Sequence, residues 1–186
     1  MINIYKPNKG NTGFAFTFQI GVDKKNSEPV LYVGSIAQHS WDDSKRLGSF
    51  SENKNNPEKN IHVKFNEFEC GEIVSSIKNR FEFSAFHSHG ENKTIIKLIP
   101  WDKPVKASRQ NPKTKKIEEY TITKPAFGLS VTRNGNQTFK IPLEAGEVEC
   151  VRVLIENLLS DLYKQRLDKV KAKIAQPKKE SSEPDF

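Results

Sequence analysis

Cysteine is almost missing from this chain. Cys70 and Cys150 are the only two in 186 residues, and so distant a pair with no neighbouring ligand makes neither a disulfide framework nor a zinc knuckle. A reducing compartment suits such a sequence. Long apolar runs are missing too, since no stretch reaches the ~18 consecutive apolar residues that a membrane-spanning helix needs. The opening MINIYKPNKG has neither the charged-then-apolar order of a secretory signal nor the Arg-rich amphipathic character of a transit peptide. Glycine-rich phosphate loops, Ser or Cys nucleophile elbows and paired catalytic acids are absent as well. His87-Ser88-His89 has a spacing that could grip one metal ion, but nothing nearby completes a ligand set, and the stretch reads as a hairpin turn. The expectation is a protein with no cofactor, no metal and no enzymatic activity.

What the chain does have is positive charge. Thirty Lys and Arg stand against 23 Asp and Glu, a net charge of +7 and a pI near 9.3, which points to a polyanionic partner. The excess is uneven. Residues 101–116 carry Lys103, Lys106, Arg109, Lys113, Lys115 and Lys116 against Asp102. Residues 164–179 carry Lys164, Arg166, Lys169, Lys171, Lys173, Lys178 and Lys179 against Asp168. Both segments read as basic arms, the first as a loop and the second as the last helix's extension, a flexible linker from residue 167.

Between them the hydrophobic pattern changes period. GFAFTFQIG alternates from Phe14 through Ile20, and PVLYVGSI follows as a second strand. Residues 39–59, rich in Ser, Asn, Lys and Asp, read as a long loop. IHVKF at Ile61–Phe65 is a short strand, after which Asn66 opens a helix carrying Phe68, Ile73 and Ile77. RFEFSAFH and KTIIKLIP then form a hairpin, IEEYTIT follows, and Asn134-Gly135 marks a two-residue turn between two further strands. The last helix places Val148, Val151, Ile155, Leu158 and Leu162 on one stripe. Strands followed by a helix therefore occur twice. The stretch ECGEI at Glu69–Ile73 is echoed by EAGEV at Glu144–Val148, 75 residues on, and the echo predicts equivalent strand-to-helix junctions in two copies of one unit. The expected fold class is α+β, with two pseudo-repeated units of antiparallel sheet and helix at about 1–79 and 80–166.

This order, together with Lys9-Gly10 near the first strand, Phe83-x-x-Phe86-His87, Phe127-Gly128-Leu129-Ser130-Val131 and Ile141-Pro142-Leu143-x-x-x-Glu147, resembles the Whirly and mitochondrial RNA-binding protein family of single-strand binders. The similarity covers roughly residues 2–163. The family's Lys-Gly-Lys-Ala-Ala is reduced here to Lys9-Gly10-Asn11-Thr12-Gly13, and residues 101–116 look expanded. The resemblance implies a Whirly-like fold, single-stranded nucleic acid as partner and a homo-oligomer.

A single strand is held by cations along its phosphates and by flat apolar faces beneath its bases. Phe14, Phe16, Phe18, Phe81, Phe83, Leu129, Val131 and Phe139 fall on the faces expected to form the core. On the opposite faces Phe86 lies beside Glu82 and Ser84, and Lys93 and Lys97 alternate with Ile95 and Ile99, a mixture poor as core and suited to binding. Lys9, Tyr32 and Trp101 join these candidates, as do Lys103, Lys106 and Arg109 of the basic loop. The alternatives for this face are a solvated hairpin or a subunit contact.

After residues 167–179, the basic linker, residues 180–186 end in SSEPDF. This acidic end resembles the tip of bacterial single-stranded DNA-binding proteins, which implies that Glu183, Asp185 and Phe186 bind replication or recombination proteins. The whole reads as a single-stranded DNA-binding protein of replication, recombination or repair, in a bacterial or phage-infected cytoplasm. The rivals are an RNA-binding protein of the same fold and a structural assembly protein.

Overall fold

The computed structural model describes residues 1–175. Strands β1 (Ile2–Lys6), β2 (Phe14–Val22), β3 (Pro29–Ala37) and β6 (Asn60–Phe65) form one antiparallel sheet in the order β1-β2-β3-β6. Helix α1 (Glu67–Asn79) follows it. Strands β7 (Phe83–His89), β8 (Asn92–Gln110), β9 (Ile117–Arg133) and β10 (Gln137–Glu144) form the second antiparallel sheet, ordered β10-β9-β8-β7. Helix α2 (Ala145–Ala175) closes it. Residues 39–59, expected to be loop, hold a small hairpin of β4 (Ser40–Asp42) and β5 (Leu47–Ser49) and a 3-10 turn at Ser51–Asn53. The α+β class and the doubled sheet-helix order are those expected from the sequence. No helix among the described residues is long and apolar enough to cross a membrane.

The repeat is real, but the echoed motif misplaces it by one helical turn. At α1 the N-cap is Asn66: its side chain accepts from Glu69 N–H, and Glu69 Oε2 accepts from Asn66 N–H at 2.9 Å. At α2 the matching contact runs from Glu144 N–H to Glu147 Oε2 at 2.8 Å. Glu147, not Glu144, therefore corresponds to Glu69, and the units are offset by 78 residues, as from Asn66 to Glu144. The strands agree: Ile61, Val63 and Phe65 align with Phe139, Ile141 and Leu143, all buried. The expected 75-residue alignment instead pairs Phe68, 74 % exposed, with buried Leu143. Recurring Glu near a helix start reflects capping and dipole preferences that any two helices share.

A single core joins the units. Phe16, Phe18, Leu31 and Phe65 of the first sheet and Ile96, Leu129, Phe139 and Leu143 of the second share one cluster with Ile73 of α1 and Val151 and Ile155 of α2. Phe14 meets Phe139 edge-on at 5.5 Å. Cys70 lies inside, where burial pushes its thiol up to about 12. Phe81, expected in the core, is 44 % exposed. Arg80 takes the left-handed conformation that ends α1, and Phe81 is held by Ser76, so the strand begins only at Phe83.

Two basic segments differ from expectation. Residues 101–116 are largely strand: β8 and β9 stay paired from Thr94↔Arg133 to Gln110↔Ile117 without a bulge, and their outer halves project as a two-stranded arm. The arm turns at Asn111, whose carboxamide oxygen accepts from Lys113 and Thr114 N–H. Residues 167–175, expected to be flexible linker, continue α2. No Pro or Gly interrupts the chain from Glu147 through Gln176, and its Lys, Arg, Gln, Leu and Ala favour helix. Arg166 fastens the extension to the body through Glu28 at 2.8 Å and Glu67 at 2.6 Å.

Candidate nucleic-acid interface

Because side chains alternate along a strand, the register that buries Thr94, Ile96 and Leu98 turns Lys93, Ile95, Lys97, Ile99 and Trp101 outward. Phe86 stands opposite Ile95, and Ser84 opposite Lys97. On the other side Lys97 faces Ser130, which faces Lys140, and Ile99 faces Gly128, which faces Pro142. The outer face of the second sheet is thus built in rows, a cationic and hydroxyl row beside an apolar one. Phe86 is 60 % exposed, and Ile95, Ile99 and Trp101 are each about 40 % exposed. Ile99, Trp101, Gly128 and Pro142 line an open groove of about 480 Å³. Gly128 leaves its floor low, since a Cβ there would meet nothing closer than the Ile99 carbonyl at 3.9 Å.

Electrostatics tune rather than cancel this face. Lys97 reaches Glu82 at 3.2 Å, and Lys103 reaches Glu144 at 2.5 Å. That second contact, first among the causes, lowers the Glu144 carboxyl below its ordinary value. Lys93 and Lys140 form no ion pair among the described residues.

The structure brings Phe86, Lys93, Lys97 and Trp101 together, and Lys103 and Arg109 continue the same side of β8 onto the arm. Lys106 falls on the arm's opposite side, and Lys9 stands apart, in the β1–β2 turn beside Asp43 at 3.2 Å. Tyr32 belongs to the other sheet. There, Tyr5, Phe50, Tyr32 and His62 surround a groove of about 350 Å³ floored by Ala15, Thr17 and Gly34. Gly34 lets the His62 ring close over the floor, since a Cβ there would stand only 3.1 Å from it. Sequence reasoning missed Tyr5, Phe50, His62, Lys140 and Pro142. Pairing across strands assembles all but Phe50, which joins through the Tyr5 ring at 5.7 Å, and only the alternation Lys140-Ile141-Pro142-Leu143 marks any of them along the chain.

His87 is no free ligand: its Nε2 meets Glu69 Oε1 at 2.6 Å and its ring abuts Phe65, tying β7 to the start of α1. Glu183, Asp185 and Phe186 lie outside the described residues.

No family model matches the chain, and no curated protein matches it in sequence. Solved structures do. WHY3 from Arabidopsis thaliana superposes with a TM-score of 0.52 at 15 % identity, over 94 % of this chain and 96 % of that one. WHY1 from Arabidopsis thaliana gives 0.52 at 14 % identity over 97 % and 95 %. The plant transcriptional regulator PBF-2 gives 0.50 at 13 % identity over 95 % and 88 %. The fold is the Whirly fold.

Proposed function

We propose that this Whirly-fold chain is a single-stranded DNA-binding protein that coats and protects exposed strands in replication, recombination or repair. One observation carries the reading: the outer face of the second sheet sets the exposed rings of Phe86 and Trp101 and the side chains of Ile95 and Ile99 in rows with Lys93, Lys97 and Lys140. Phosphates pair with such cations and bases stack on such faces, without need of base-edge recognition. The reading is of a binding protein rather than an enzyme. Fold likeness to a transcriptional regulator is compatible with it.

The test is a band shift with unlabelled single-stranded DNA, duplex and RNA as competitors. Single-stranded DNA should compete best, with log affinity falling against log salt by about 0.7 per phosphate neutralised. Equal competition by duplex would leave only a basic surface and sink the reading, and stronger competition by RNA would transfer it to RNA.

The reading also assigns residues 180–186 to the recruitment of replication or recombination proteins, on the strength of their acidic, Phe-terminated sequence. Removing Ser181–Phe186 should abolish capture of those proteins and strengthen strand binding slightly, because tethered carboxylates compete with phosphate. A truncated chain that captures the same partners would reduce these residues to an ordinary terminus.

A further inference from the structure

The β8–β9 arm extends the rows just described. Partner residues keep one register from sheet to tip, so the parity that turns Ile95, Ile99 and Trp101 outward also sets Lys103, Val105, Ala107 and Arg109 on that side of β8. From β9 the same side receives Lys124, Ile122, Tyr120 and Glu118. Ile122 is 37 % and Tyr120 45 % exposed, and the Arg109 guanidinium lies 5.7 Å from the Tyr120 ring centre. The other side is mostly polar, with Lys106, Ser108, Glu119, Thr121 and Thr123, and its apolar residues are Pro104 and Pro125 near the root and Ile117 at the tip. At ~3.3 Å per residue, the stretch from Ile95 to Arg109 measures about 45 Å. Charge names the occupant: residues 102–124 hold seven Lys and Arg against three Asp and Glu, +4 of the chain's net +7, with Lys103, Lys124 and Arg109 against Glu118 on this side, Lys106 on the other and Lys113, Lys115 and Lys116 in the turn at its end. Among the described residues, only Lys103 and Arg109 of these cations form ion pairs.

We infer that the arm is a second, contiguous length of the strand-binding face, on which single-stranded nucleic acid leaving the sheet continues along the Val105, Ile122 and Tyr120 side. This rests on the single-strand reading above and adds its extent and direction, along β8 and β9 toward the tip. Tyr120 supplies a ring for stacking, Ile122 and Val105 supply flat contact, and Lys124 and Arg109 face the phosphates.

The experiment replaces residues 104–123 with Asn-Gly, a turn that closes the Lys103↔Lys124 pair, in the full chain. Affinity is measured for single-stranded DNA of roughly 6 and roughly 16 nucleotides, within the range of known single-strand site sizes. Intact and shortened proteins should bind the short strand alike, while the shortened one loses about 5- to 150-fold on the long strand for each base no longer stacked. The double variant Tyr120→Ala/Ile122→Ala, which keeps every charge, should lose long-strand affinity, and Thr121→Ala/Thr123→Ala should not. Long-strand affinity unchanged by the deletion, or equal losses from both double variants, overturns the inference and leaves the sheet reading intact. So does a deletion that lowers the molar mass in solution while affinity per protomer stays constant, since the arm is then a contact between copies. Failure of the intact protein to bind either strand overturns both.

Discussion

At the scale of single residues, three positions decide between fold and function. Phe83 and Phe86 are three apart on β7, yet one is 3 % exposed and the other 60 %. Phe83→Ala should therefore cost about 3–5 kcal/mol of stability, measured by denaturant unfolding. Phe86→Ala should leave the unfolding midpoint in place and weaken single-strand binding by about 1–3 kcal/mol. Replacing Lys93 and Lys97 together should flatten the salt slope. The alternation of RFEFSAFH is enough to separate these two faces. It does not show where the strand begins, because Phe81 continues the pattern in sequence while the left-handed Arg80 breaks it in space. A third residue, Arg166, acts through charge. Its hydrogen bond to Glu28, the largest cause, holds that carboxyl below its ordinary value of 4.5. A depressed carboxylate pKa adds stability that is present above the unfolded pKa and lost as pH falls through the folded one. Arg166→Met should return the Glu28 titration, followed by NMR, toward 4.5 and remove that acid-limb dependence.

At the scale of elements, the caps behave as local chemistry dictates. Asn66→Ala removes the acceptor for Glu69 N–H and should destabilise the protein by about 1 kcal/mol, with helix α1 losing amide protection at its first turn. The ends of elements were harder to read than their cores. The outer halves of β8 and β9 carry Pro104, Pro125 and dense lysine, all of which argue against a strand in the middle of a sheet. A two-stranded ribbon escapes that argument, because each of its strands keeps one unpaired edge where proline is tolerated and lysine stays solvated. The same charge density disguised the end of α2, where lysines look like linker but are good helix formers. Tyr120 and Ile122 do alternate within IEEYTIT. Their side of the ribbon is defined only by the partners across it.

At the scale of the whole molecule, the doubled unit was legible from the order of elements and not from its short echo. Order survives because each sheet must bury one face against something, and two sheet-helix units that share a core satisfy each other. Ile155 sits at the centre of that arrangement with no exposed surface, in contact with a cluster drawn from both units. Ile155→Ala should cost about 2–5 kcal/mol and should shift one cooperative transition, seen alike by tryptophan fluorescence and circular dichroism. Two separable transitions would show that the units have independent cores. The outward faces were legible in kind, as Lys alternating with Ile, and illegible in composition, since His62, Lys140 and Pro142 arrive from strands distant in sequence.

The unbroken pairing of β8 with β9 has a consequence for how the protein moves. A ribbon of only two strands is barely stable by itself in water, whereas the roots of the same two strands lie in a four-stranded sheet over the core. Opening must therefore begin at Asn111–Lys116 and work inward like a zip, with no hinge at which it can stop. The amide hydrogens of β8 that pair with β9 should exchange on a graded ladder of rates, fastest near Arg109 and slowest near Ile99. Whatever settles on the arm would climb that ladder with it, slowing exchange first at rungs far from the core.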